Sequence, residues 1–188
     1  MFKKLNSMKI GKRLKQSFKY MIIVFGAVAV LIAFVMLYMT SDYKKILNNY
    51  AYPQGDIARA MTETAEVRSA TRGIIGYDST DLISSMQKQH DEAIKNFNSI
   101  FKQIRSTMIS KEDKACIDEI DKAWKAYLEI DTRVIEIGAI TDTTHSVKAQ
   151  QIMIDEAAPK YKAVEKAMEN LMSINVSKGN AEQTKLSV

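Results

Sequence analysis

"TDLISSMQKQHDEAIKNFNSIFKQIRSTMISKED", residues 80–113, carries the pattern that decides the fold. Leu82, Met86, Ala93, Phe97, Ile100, Ile104 and Met108 recur at helical intervals, with Ile83, Ile94 and Phe101 widening the stripe. Apolar residues at that spacing line one face of an α-helix, because a turn takes about 3.6 residues. The stretch closes on Ser110-Lys111-Glu112-Asp113, a capping-box pattern: the serine oxygen accepts an amide and the acid reaches back. One long helix ends there and another begins.

The same periodicity repeats on both sides. Ile117, Ile120, Trp124, Tyr127, Val134, Ile137 and Ile140 form the next stripe. Ile154, Ala157, Tyr161, Val164, Met168, Leu171 and Asn175 form the last. Upstream, Tyr43, Leu47, Tyr50, Ile57, Met61, Thr64, Arg68, Thr71 and Ile75 form a series that turns polar toward its end. Gly76-Tyr77-Asp78-Ser79-Thr80 supplies a helix-ending glycine and N-cap candidates, and Thr141 to Ser146 offers further caps. Pro53 and Pro159 fall inside helical patterns, where the missing donor predicts kinks, with Pro53-Gln54-Gly55 open to a local break. Low glycine and proline and no alternating pattern argue against strands. The expectation is all-α: an N-terminal transmembrane helix continuing into an antiparallel up-down-up-down four-helix bundle, with helices near 41–76, 81–109, 111–141 and 146–185.

Met21 to Met39 is an uncharged run of 19 residues. At ~1.5 Å per residue it spans about 28 Å, close to a hydrocarbon core and longer than a signal-peptide apolar segment. Tyr20 and Tyr38 stand at its ends, where amphipathic rings suit the headgroup layer. Of the chain's 27 basic side chains, seven precede residue 20 (Lys3, Lys4, Lys9, Lys12, Arg13, Lys15 and Lys19), with no acid among them. The remaining 20 basic residues face 22 acids, so the basic character belongs to the tail, and no nucleic-acid partner is expected. The positive-inside rule predicts a cytoplasmic tail over 1–19, a transmembrane helix over 20–40 and an extracytoplasmic domain over 41–188.

Catalytic signals are missing from the reading. Cys116 is the single cysteine, so no intrachain disulfide can form, and His90 and His145 lie far apart. No metal-ligand spacing, Gly-rich phosphate loop or nucleophile elbow occurs, so neither an enzyme nor a cofactor or metal is expected. Trp124 and Tyr127 could line a pocket but are read as core, as an aromatic stripe at helical spacing usually is, and the two histidines are read as satisfied seam or surface residues.

Together these features resemble the front end of a methyl-accepting chemotaxis receptor, in particular its four-helix-bundle sensor domain. The stretches that carry the likeness are the tail from Met8 to Leu14, Pro53 in helix one, Glu66-Val67-Arg68-Ser69-Ala70-Thr71-Arg72-Gly73, and Pro159-Lys160-Tyr161. The resemblance implies a homodimer in a bacterial inner membrane that binds a small molecule in the membrane-distal half and relays it by displacing helix four against helix one. It also implies a cytoplasmic histidine kinase and a coupling protein as partners of the full-length receptor. That family normally continues through a second membrane helix into a cytoplasmic coiled coil. These 188 residues hold neither, so a sensor-end fragment, a truncated product or a subunit of a longer partner is expected.

Thr64, Arg68, Thr71 and Arg72 are the candidate ligand-binding residues. Arg68 and Arg72 are one turn apart on one helical face, beside the two threonines, and guanidiniums offer paired donors to a carboxylate. The plainer account is that the arginines pair with acids such as Asp155 or Glu156, or face water. Two other functions stay open: the sensor domain of a membrane histidine kinase or diguanylate cyclase, and a membrane-anchored interaction protein with no small ligand.

Overall fold

The computed structural model describes residues 9–186, and all of its regular structure is helical. Lys3, Lys4 and Met8 of the basic tail lie outside the described residues. The chain divides into two units, 1–45 and 46–188.

The first unit holds all but the last residue of α1 (Ile10–Ile46), a helix with no buried residue. Its apolar side chains, Phe25, Leu31, Phe34 and Leu37 among them, stand open along the whole run. Among the described residues one helix is long and apolar enough to cross a membrane, by length and composition, and its apolar window lies near the N-terminus.

The second unit is a four-helix bundle. A π-helical turn (Leu47–Ala51) leads into α2 (Tyr52–Gly76), followed by α3 (Thr80–Thr107) and α4 (Lys111–Gly138). The fourth bundle helix comes in three parts: α5 (Thr143–Ile152), a second π turn (Met153–Ala157) and α6 (Ala158–Leu186). The closest packing is pairwise, α2 on α3 and α4 on α5 and α6, so the bundle is two helical hairpins laid face to face.

Caps decide where the helices start. Ser110 accepts the Asp113 N–H and Asp113 accepts the Ser110 N–H, both at 3.2 Å, so the capping box forms with aspartate as its acid. The Asp142 carboxylate accepts the His145 N–H at 2.9 Å and opens α5. Gly76 acts differently from a left-handed cap, since no described glycine has positive φ. Instead the chain turns extended at Tyr77, whose N–H closes on the Gly73 carbonyl.

Neither proline breaks its helix. Each stands two residues beyond a π turn, and the residue between, Tyr52 or Ala158, donates its N–H to the first carbonyl of that turn, Leu47 or Met153. A proline ring clashes with the carbonyl four residues back, here Asn49 or Asp155, and each of these sits at the centre of a π turn. Widening that turn by one residue gives the ring its room. The extra residue also shifts the phase of the fourth helix. Eight residues separate buried Ala149 from buried Ala157, and Ile154, expected on the apolar stripe, is exposed. Leu82 and Ile140, at the ends of their stripes, are exposed as well.

The core is aromatic at its centre. Phe101, Phe97, Trp124, Tyr127 and Tyr161 form a ladder with centroid separations of 5.2, 4.6, 5.5 and 5.4 Å, crossing from α3 through α4 to α6. Such stacked and edge contacts add to the stabilisation from burial alone. Ile57, Val67, Ile104, Ile120, Val164, Met168 and Leu171 fill the space around it.

Candidate functional site

The polar residues of α2 point in different directions. Thr64 and Thr71 are buried in the seam, Arg68 is half-buried at its rim, and Arg72 is exposed. Thr64 donates its hydroxyl to the Met61 carbonyl at 2.8 Å, a back-bond within its own helix. The Arg68 guanidinium lies over the Tyr161 ring, 4.4 Å from the centroid, a cation–π contact that joins the two hairpins. Arg72 makes no hydrogen bond or ion pair among the described residues; its charge is felt by Tyr161. The structure therefore brings Thr64, Arg68 and Thr71 to one seam and leaves Arg72 one turn outside it.

The acids that could have claimed the arginines are engaged elsewhere. Glu156 accepts from Arg133 at 2.9 Å, and Asp155 accepts from Gln151. Neither arginine has a carboxylate partner among the described residues, so of the two plain alternatives only exposure to water applies, and only to Arg72.

Arg68 stands at a crevice whose other walls are Thr71, Tyr127, Met153, Ala157, Ala158 and Tyr161. Its volume is 10 Å³, about one water's worth of space. Three of its wall residues belong to the π turn or follow it directly, and sequence reasoning missed them. Pro159, one position beyond Ala158, was the available signal, read as a kink and as part of the family likeness but not as the mark of a wide turn. Tyr127 and Tyr161 were read as core, which they are, but both also face the crevice.

Behind the crevice lies a buried polar cluster. Asp131 of α4 is 1 % exposed. One carboxylate oxygen, Oδ1, accepts from Thr71 Oγ1 at 2.8 Å and from the Tyr127 hydroxyl at 2.9 Å. The other, Oδ2, lies 2.7 Å from His90 Nε2 of α3. Thr71 Oγ1 is also 2.9 Å from the Val67 carbonyl, and the carboxylate is the stronger acceptor for its single proton. Burial and the Asp131 charge push the Tyr127 phenol far up, so it stays a donor at every physiological pH. Burial likewise raises Tyr161, against the pull of Thr64 and the charges of Arg68 and Arg72. A buried carboxylate is costly unless paired and hydrogen-bonded, and this one has three partners drawn from three helices.

At the opposite end of the hairpin of α4 with α5 and α6, Lys178 of α6 holds the start of α4. Its ammonium reaches Asp113 at 2.7 Å, Ser110 at 2.9 Å and Glu112 at 3.1 Å.

Comparison with known proteins adds the family. A model of the four helix bundle sensory module for signal transduction matches residues 7–187. No curated protein matches the chain. A bundle of four helices with one apolar N-terminal helix, matched along nearly its whole length, belongs to that family of four-helix-bundle sensory modules.

Proposed function

We propose that the chain is the sensing end of a bacterial transmembrane receptor of the chemotaxis type. In this reading α1 spans the inner membrane with the basic tail in the cytoplasm and the bundle outside. The bundle binds a small anionic molecule at the rim formed by Arg68 and Arg72. The carrying observation is that two arginines one turn apart have no carboxylate partner among the described residues, while the acids nearest in expectation, Asp155 and Glu156, are bonded to other side chains. A carboxylate or phosphate oxygen would complete their hydrogen bonding.

The narrow crevice gives the binding a mechanical consequence. A ligand that reaches past Arg68 to Thr71 and Tyr127 does not fit in 10 Å³, so the wall formed by Ala157 and Ala158 must move. Ligand and displacement are then one equilibrium, set by the difference in affinity for the two arrangements. The moving wall is the π turn of the fourth bundle helix, the element the family resemblance assigns to relay. The partners in this reading are a second copy of the chain and, on the cytoplasmic side, a histidine kinase with its coupling protein. No catalysis is ascribed to the domain.

Calorimetry on the full chain in detergent, titrated with a panel of small carboxylates and phosphates, tests the site. At least one anion should bind, with affinity lost in Arg68→Ala. Binding that survives unchanged in both Arg68→Ala and Arg72→Ala would overturn it.

A further inference from the structure

The His90 ring is held between two carboxylates: Asp131 Oδ2 lies 2.7 Å from Nε2 and Asp91 Oδ1 lies 3.3 Å from Nδ1. An ionised carboxylate only accepts, so satisfying both contacts requires a proton on each ring nitrogen, and that species is the imidazolium. The His90 side chain is 9 % exposed, yet the Asp91 side chain is 84 % exposed, which gives the buried nitrogen a carboxylate relay to water. We propose that His90 is a proton-binding input of this module, and that loss of its proton loosens the seam between the two hairpins.

The position of the ring gives the proton its leverage. His90 and Thr71 belong to the α2–α3 hairpin, whereas Asp131 and Tyr127 belong to the other, so the Asp131 carboxylate is a polar staple across the seam. With His90 charged, the staple is a neutral ion pair. With His90 neutral, Nε2 still donates to Asp131, but the interior keeps one uncompensated negative charge, and Nδ1 turns a lone pair toward Asp91. Both changes penalise the closed seam.

The groups around the ring are few. Asp131 faces it from α4 and Asp91 from its own helix. From α2 come Thr71, through Asp131, and Arg68, whose charge acts on Tyr127. From α6 comes Tyr161, edge-on to Tyr127 at 5.4 Å. Burial lowers the imidazole pKa, but the bonds and charges of Asp131 and Asp91 outweigh it, leaving His90 above its ordinary 6.5. A group raised in the folded state contributes its full stabilisation below the unfolded value and loses it as pH rises through the folded one. The seam therefore holds fully below 6.5 and relaxes as pH rises through the raised folded value. Thr71 and Tyr127 also wall the crevice, so a proton on His90 and a displacement of the fourth bundle helix act on the same atoms. The proposal needs no anion at Arg68.

Nitrogen NMR of histidine-labelled full chain in micelles reads the ring directly, with His90→Gln and His145→Gln each removing one signal for assignment. The His90 ring should stay doubly protonated past pH 6.5. It should then lose the Nδ1 proton, with the Thr71 and Tyr127 amides shifting at the same midpoint and the melting temperature falling through the same window. Asp91→Asn, an exposed change, should move the midpoint to lower pH while the chain stays folded. A ring that titrates at or below 6.5, or that titrates with Thr71 and Tyr127 unmoved, would overturn the proposal. So would an unchanged midpoint in Asp91→Asn.

Discussion

Gly138 lies against Ile75: a methyl group built on its Cα would stand 2.9 Å from Ile75 Cγ1 and 3.3 Å from the Ala149 Cβ. The glycine is buried in the last turn of α4, where the two hairpins come together because no side chain intervenes. Gly138→Ala gains roughly 1 kcal/mol of helix propensity but overpacks the contact, at about 1–3 kcal/mol. A net loss of melting temperature is expected. Gly55 in α2 meets nothing within 4 Å of such a methyl, so Gly55→Ala should raise stability by roughly 0.5–1 kcal/mol. Thermal unfolding of the full chain in detergent compares the two. Gly138→Ala at or above the wild type would mean that Ile75 has room to turn.

Lys178 and the Ser110 cap form the second test. Burial raises the Asp113 carboxyl, but bonds from Lys178 and Ser110 outweigh it and hold the group below its usual 3.8. A lowered folded pKa contributes stability above 3.8 and loses it as pH falls through the folded value. The wild type should therefore lose stability in acid below about pH 4. Asp113→Asn should be less stable at neutral pH and flatter in that acid window. Ser110→Ala should cost about 1 kcal/mol, as capping serines do. Identical acid profiles for Asp113→Asn and the wild type would remove Asp113 from the account.

Arg68 and Arg72 separate binding from stability. Arg72→Ala should leave the melting temperature unchanged, because the side chain is exposed and has no bonded partner among the described residues. Its affinity for an anion should drop by roughly one to two decades, the value of a charge-assisted bond of about 1.5–3 kcal/mol. Arg72→Lys keeps the charge without the planar fork and should recover binding only in part. Arg68→Ala should lower both quantities, since it also removes the cation–π contact with Tyr161, at roughly 0.5–1 kcal/mol. Equal stability losses in the two alanine variants would mean that Arg72 has a structural partner.

Much of the bundle was legible because the apolar series are regular, and its gaps were legible too. The α3 series jumps from Met86 to Ala93 and the α4 series from Tyr127 to Val134, each omitting one turn. His90 and Asp131 fill those two turns and bond to one another. A polar residue on a buried face needs a partner at the same height on a neighbouring helix, and two missing beats are that signal. Thr64, Arg68 and Thr71 were legible as polar intrusions on the α2 stripe. Val67 and Ile74, which are buried beside them, were not, because the stripe was followed one residue off its centre. The phase shift at Met153–Ala157 was hidden, since 3.6 residues per turn was assumed throughout.

Topology can be tested with Cys116 replaced by alanine. An impermeant thiol reagent on intact cells should label Ser79→Cys and spare Gly11→Cys. Labelling of Gly11→Cys alone would reverse the orientation that the basic tail implies.

The wide turn at Met153–Ala157 makes the fourth bundle helix a shaft with a clutch. Above and below it, the two segments keep phases that differ by one residue, about 100° of rotation. A π turn can travel along a helix by exchanging one hydrogen bond at a time, and each step rotates only the residues it passes. Displacement at the crevice therefore need not drag all of α6 through the aromatic core. It can be absorbed at Ala157 and Ala158, or passed on as rotation toward Lys178. A receptor built on this module would have its gearing set by a single spare residue.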